Sequence, residues 1–172
     1  MTIMVDYYRI SFDQPFAKES ETCACVEAVF DDRGRLTKVI REVVNGDGLV
    51  TDGVDFELDF IADTKYGILN AGLRGNYIFS FEVAELNAGE DWEAAGKYNS
   101  RLAQTGFEVR PMPKLKLNGW SSLRKARHSL GINARYVGGM DIPYYLADGA
   151  AEAGLGESIE AMLTLDAHYS FE

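Results

Sequence analysis

The sequence predicts an α+β fold: a largely antiparallel β-sheet with two to three helices, in a single domain covering residues 1–172. Three observations lead there. Apolar and polar residues alternate with period two through most of the first half. Two later stretches carry apolar residues at helical spacing. The order is strands, then helices, then one strand, which suits α+β better than a βαβ repeat. Of the 172 residues 47% are hydrophobic and 12% aromatic, so a chain of this length can bury about 70% of its unfolded surface.

Tyr8, Ile10 and Phe12 alternate with Asp6, Arg9 and Ser11 and predict a first strand. Ala24, Val26, Ala28 and Phe30 alternate with Cys23, Cys25 and Glu27. The turn-forming run Asp31-Asp32-Arg33-Gly34-Arg35 follows, then a β-branched stretch over 36–44, which together predict a hairpin. A Gly/Asp-rich loop is expected over 45–53. Val54, Phe56, Leu58 and Phe60 alternate with Asp55, Glu57 and Asp59 as a strand, and Tyr77, Phe79 and Phe81 suggest another.

A first helix is expected over 88–105. Asn87 can cap it, with Glu90 at the capping-box position. Trp92, Ala95, Tyr98 and Leu102 recur at helical spacing, and Gly106 can end it. A second helix is expected from Ser121 or Ser122 to Gly131, with Leu123, Ala126 and Leu130 inward. Asp141 and Pro143 suit the start of a third, reaching Ala153. Leu163, Leu165, Ala167, Tyr169 and Phe171 alternate with Thr164, Asp166, His168 and Ser170 as a closing strand.

No stretch has the roughly 20 apolar residues of a helical membrane span, and the first residues lack the basic flank and apolar core of a signal peptide. Two cysteines, Cys23 and Cys25, are too few for a disulfide scaffold. The expected compartment is the cytoplasm. No membrane association and no cofactor are expected.

Net charge is −10, and it is segregated along the chain. Residues 1–96 carry −11, residues 97–136 carry +8, and residues 137–172 carry −7. Such blocks suggest recognition of other charged macromolecules. In the basic block, Lys114, Lys116, Arg124, Lys125, Arg127 and Arg135 sit among Trp120, His128 and Tyr136. On the expected second helix, Arg124, Arg127 and His128 share one side. These cations could neutralise phosphate while aromatics stack on bases, or dock onto an acidic protein. They could equally face the protein's own carboxylates. In the acidic block, Asp55, Glu57 and Asp59 project from one strand face about 7 Å apart. They form a candidate stripe for a basic partner, the bland alternative being the wet face of an antiparallel sheet.

Other patterns are weaker. The loop starting at Asn45 fails the EF-hand template, with Val50 at the glycine position and Phe56 at the final glutamate. Asp52 with Asp63 and Lys65 loosely fits a nuclease-like arrangement. Cys23 and Cys25 lack the further close ligands that zinc needs. His128 and His168 could be general bases but sit in no nucleophile, phosphate-loop or zinc-protease motif. No metal site and no catalytic residue is assigned. The sequence therefore points to a non-catalytic interaction protein, such as an inhibitor, an immunity protein or a phage-type accessory factor. Its expected partner is another protein, possibly a basic, nucleic-acid-handling one. The alternatives are nucleic-acid or phosphate binding through 97–136, and a small hydrolase.

Overall fold

The computed structural model describes residues 1–14, 16–18, 27–40, 43–45, 48–84, 92–98, 112–142, 156 and 158–171. The strands there are β1 (Thr2–Phe12), β2 (Phe16–Lys18), β3 (Glu27–Phe30), β4 (Leu36–Ile40), β5 (Val43–Asn45), β6 (Leu49–Thr64) and β7 (Gly67–Val83). They continue with β8 (Trp92–Glu93), β9 (Leu115–Lys125), β10 (His128–Val137), β11 (Met140–Asp141), β12 (Ser158–Ile159) and β13 (Met162–Phe171).

The main sheet runs β1-β6-β7-β9-β10-β13, every neighbour antiparallel, with β8 added against the end of β7. Three small two-stranded sheets accompany it: β2–β5, β3–β4 and β11–β12. The expected hairpin around residues 31–35 forms as β3–β4. Asp31 closes its turn by accepting hydrogen bonds from the Arg33 and Arg35 backbone and pairing with the Arg35 side chain. Those bonds hold the Asp31 carboxyl below the usual carboxylate range, the Arg35 backbone N–H contributing most.

The antiparallel sheet is as expected; the helices are not, and the α+β class is overturned. Among the described residues there is no helix. The segment expected as the second helix contains the end of β9, a turn at Ala126-Arg127 and the start of β10. Leu123, Ala126 and Leu130 fit helical spacing. However, Leu115, Leu117, Leu123 and then Leu130, Ile132, Ala134 fit a strand period as well, and pairing on both sides of each strand decides between them. In the expected first helix, Trp92–Glu93 is a strand, Ala95-Gly96 a turn and Lys97 an isolated bridge to Asp141; positions 88–91 and 99–105 lie outside the described residues. The expected third helix also lies outside them, except that Asp141 belongs to β11. The expected loop over 45–53 is strand from Leu49 onward. No helix among the described residues is long and apolar enough to cross a membrane.

Directly opposed residues of an antiparallel ladder share a face. One row across the sheet is Val5, Phe56, Gly75, Leu117, Tyr136 and Leu163. The next is Ile3, Leu58, Leu73, Gly119, Ala134 and Leu165. In these two rows the face is apolar from edge to edge; towards its ends the same face carries Arg9 opposite Asp52 and Lys125 opposite His128. The opposite face carries Asp6, Asp55, Asn76 and Lys116 in one row, and Glu57, Arg74, Asn118 and Arg135 in the next.

Four glycines sit beneath rings from their directly paired partners: Gly53 under Tyr8, Gly75 under Phe56, Gly72 under Trp120 and Gly131 under His168. A Cβ at Gly72 would fall 2.1 Å from the Trp120 ring. The rings cover the backbone that glycine leaves bare. The buried apolar residues, Val83, Ala94 and Ala95, gather at the β7–β8 end. Glu93 ties this end together. It accepts hydrogen bonds from the Phe81 and Ala95 backbone N–H groups and the Ser80 hydroxyl, at 2.9, 2.7 and 2.7 Å. Partial burial raises the Glu93 pKa, but these donors and the nearby Lys114 outweigh it, so the carboxyl titrates below its ordinary value.

Candidate functional site

The acidic stripe lies where the sequence puts it. Asp55, Glu57 and Asp59 occupy alternate positions of β6 on the polar face. The structure gives two of the three carboxylates an internal partner, one of them charged. Arg74 on β7 forms a 2.5 Å ion pair with Glu57, and Asn76 donates to Asp55 at 2.7 Å. Asp6, directly opposite Asp55, adds a further carboxylate. These residues and Lys116 border an open depression of about 290 Å³. The Arg74 guanidinium also lies 5.0 Å from the centroid of the Trp120 ring, so it is fixed from two sides.

The six basic candidates do not form one surface. Lys116 and Arg135 lie on the polar face, on β9 and β10, beside Arg74 and Trp120. Arg124, Lys125 and Arg127 lie at the tip of the β9–β10 hairpin, eight or more positions away from Lys116, or about 26 Å along a strand. Lys114 precedes β9 and packs its stem near Gly96. The shared helical side expected for Arg124, Arg127 and His128 is absent. Arg124 opposes Ser129 on the polar face; Arg127 is in the turn with its guanidinium 4.8 Å over Phe171. His128 is on the apolar face, its Nδ1 2.7 Å from the Tyr169 hydroxyl. Among the described residues, Lys116, Arg124 and Arg135 form no ion pair with a carboxylate.

The nuclease-like set does not converge. Asp52 and Asp63 are eleven positions apart on one strand, about 36 Å. Asp52 accepts from the Tyr7 hydroxyl, while Lys65 lies over the Tyr66 ring. Among the described residues no group of three or more His, Cys, Asp and Glu could hold a metal ion. Cys23, Cys25, Gly46 and Asp47 lie outside the described residues.

The broadest feature is one that charge patterning did not reveal: among the described residues nothing covers the apolar face. Val5 is 63% exposed, Ile132 50%, Leu165 65% and Tyr169 62%. Arg74 was also missed, because Gly67, Gly72 and Gly75 disguise β7. The alternation of Leu69, Ala71 and Leu73 with Asn70, Arg74 and Asn76 was the available signal. No protein-family model, curated protein or solved structure matches the chain.

Proposed function

We propose that this is a non-catalytic binding protein that docks another macromolecule on its open sheet. One observation carries this reading: an apolar face, six strands wide, whose large side chains stand half or more in solvent on β1, β10 and β13 and stay partly exposed on the central strands. With strands about 4.8 Å apart and rows about 6.8 Å apart, the two rows that cross all six strands and the shorter rows beside them give a patch on the order of 700–800 Å². One partner of a standard protein interface buries about 800 Å², and monomers seldom leave so large an apolar patch bare. The cytoplasm, with its reduced thiols, is the compartment we propose for it. Surface footprinting tests the docking. Ile132, Leu165 and Tyr169 should label strongly in the purified protein at a concentration low enough to keep it monomeric. They should be protected in native host extract. Equal labelling in both overturns the proposal.

A second reading is favoured by Lys116 and Arg135, which flank the Arg74–Trp120 stack with no described carboxylate of their own. Anion or nucleic-acid binding there predicts that a single-stranded oligonucleotide perturbs Trp120 fluorescence at low salt, and that Lys116→Glu with Arg135→Glu abolishes the change. An unperturbed spectrum at micromolar protein removes this reading.

A further inference from the structure

We infer that the sheet's two open edges join copies of this chain: β13 of one protomer pairs with β1 of the next, and the copies close into a ring. Edge pairing lengthens the apolar face without covering it, so this goes beyond the docking proposed above and is tested apart from it. Among the described residues β1 and β13 each pair on one side only, leaving two long strand edges open. Every residue of β13 is exposed, and so is every residue of β1 except the half-buried Tyr8. Natural proteins rarely leave such edges unprotected unless something pairs with them.

Four features make these two edges complementary. First, direction: six strands alternate along the path, so β1 and β13 run opposite ways. A neighbouring copy related by rotation about an axis along the sheet then presents β1 antiparallel to β13. Second, length: the ten residues of β13 match residues 3–12 of β1 in full when Ile3 opposes Phe171 and Phe12 opposes Met162. Such a ladder supplies on the order of ten main-chain hydrogen bonds, the number a typical specific interface carries.

Third, side chains: this register keeps Ile3, Val5 and Tyr7 on the same face as Phe171, Tyr169 and Ala167, so the apolar face continues across that part of the junction, while Arg9 and Ser11 oppose Leu165 and Leu163 at its other end. It places Asp6 opposite His168. Sliding β13 by two residues one way would set Asp6 against Asp166, and like charges directly opposed destabilise a sheet. Fourth, stagger: the row from Val5 crosses six strands to Leu163, which would oppose Ser11 of the next copy. The offset is six residues in six strands, one per strand. That is the ratio of the eight-stranded, shear-eight barrel, whose strands tilt by about 36°, so the stagger is one at which sheets close. Repeated head-to-tail contacts form a ring when rotation closes them.

Two measurements test this on the full chain. Light scattering of the unmodified protein at micromolar concentration should give a whole multiple, two or more, of 19.1 kDa. Two variants, both also carrying Cys23→Ser and Cys25→Ser, are then mixed: Ile10→Cys in one, Thr164→Cys in the other. These positions oppose each other in the proposed register. Mild oxidation should give a disulfide-linked heterodimer in large excess over either homodimer. Homodimers in equal or greater yield overturn the β13–β1 pairing. A mass of 19.1 kDa overturns self-assembly whatever the variants do. If that monomer's apolar face is still protected in host extract, binding to another protein stands without self-assembly. If it is labelled equally, both readings fall. A monomer that floats with phosphatidylcholine vesicles also overturns the ring.

Discussion

Gly72→Ala is the substitution whose sign depends most directly on the ring-over-glycine packing. The new Cβ would lie 2.1, 2.5 and 2.6 Å from three atoms of the Trp120 ring. Carbon atoms rest at about 3.5–4.0 Å, so the indole must lift by more than 1 Å or swing away. Either movement takes the ring off the sheet and away from the Arg74 guanidinium, now 5.0 Å from its centroid. Overpacking of this kind costs about 1–3 kcal/mol. Against it stands the gain of about 0.4–1 kcal/mol from a less flexible unfolded chain. The net expectation is a loss of about 1–2 kcal/mol, or a fall in Tm of roughly 2–8 °C for a chain this long. Gly119→Ala, one strand away, is the control. Its nearest neighbours would be Leu73 Cδ1 at 3.7 Å and Gly72 O at 3.9 Å, ordinary contacts. It should stabilise by about 0.5 kcal/mol. In a Trp120→Ala background, Gly72→Ala should also become stabilising. Urea unfolding followed by circular dichroism measures the four variants and the unmodified protein. If Gly72→Ala has the same effect with and without Trp120, the clash is not what sets its sign and the reasoning fails.

The other predictions concern the turns and the Glu93 node. Gly67→Ala should cost more than 2 kcal/mol, because Gly67 has φ +132° and an added Cβ would meet the Arg124 carbonyl oxygen at 2.3 Å; an unchanged unfolding midpoint would contradict the β6–β7 turn. Ala126 has φ 52°, so Ala126→Gly should stabilise the β9–β10 hairpin by about 1 kcal/mol, seen as a Tm increase. Glu93→Gln should cost about 1 kcal/mol at pH 7, the exposed part of the site limiting the effect. The Glu93 pKa is lowered on folding, so its contribution is fully present above the unfolded value of 4.5 and is lost as pH falls through the lower folded value. The difference between wild type and variant should therefore shrink below about pH 4.5, and a difference that grows there would reverse the assignment.

Strands with clean alternation were legible in the sequence. The apolar series in β6 and the closing series in β13 each appear as strands over the residues that carry them. The β3–β4 hairpin was legible because its turn residues are strong signals. β7 was only half legible: Tyr77, Phe79 and Phe81 marked its end, while glycines at 67, 72 and 75 erased the pattern before it. Those glycines are explained by their paired rings and by the turn, which are tertiary facts. The β9–β10 hairpin was misread because its turn, Ala126-Arg127, has neither Gly, Asn, Asp nor Pro. Without a turn signal, Ser121 to Gly131 presents as one continuous amphipathic segment. The exposure of the apolar face could not be read at all, since periodicity shows which residues share a face but not what lies against it.

The charge blocks failed as a guide to the surface for a definite reason. A block counts charges along the chain, whereas a strand sends successive residues to opposite faces and its neighbours come from elsewhere in the sequence. Arg74 belongs to the acidic block of residues 1–96, yet β6–β7 pairing sets it on Glu57 and removes the centre of the acidic stripe. Of the six basic candidates, only Lys116 and Arg135 lie together on the polar face beside Arg74. Lys125, one position from Arg124, falls on the opposite face next to His128. What survives as organisation is therefore not sign of charge but polarity by face. That property holds through the middle of the six long strands and fails at their ends, where Arg9, Asp52 and Lys125 fall on the apolar face, and it crosses a junction only if the joined edges keep their parity. Any partner adding a strand to β1 or β13 must satisfy the same parity, and this chain's own opposite edge satisfies it.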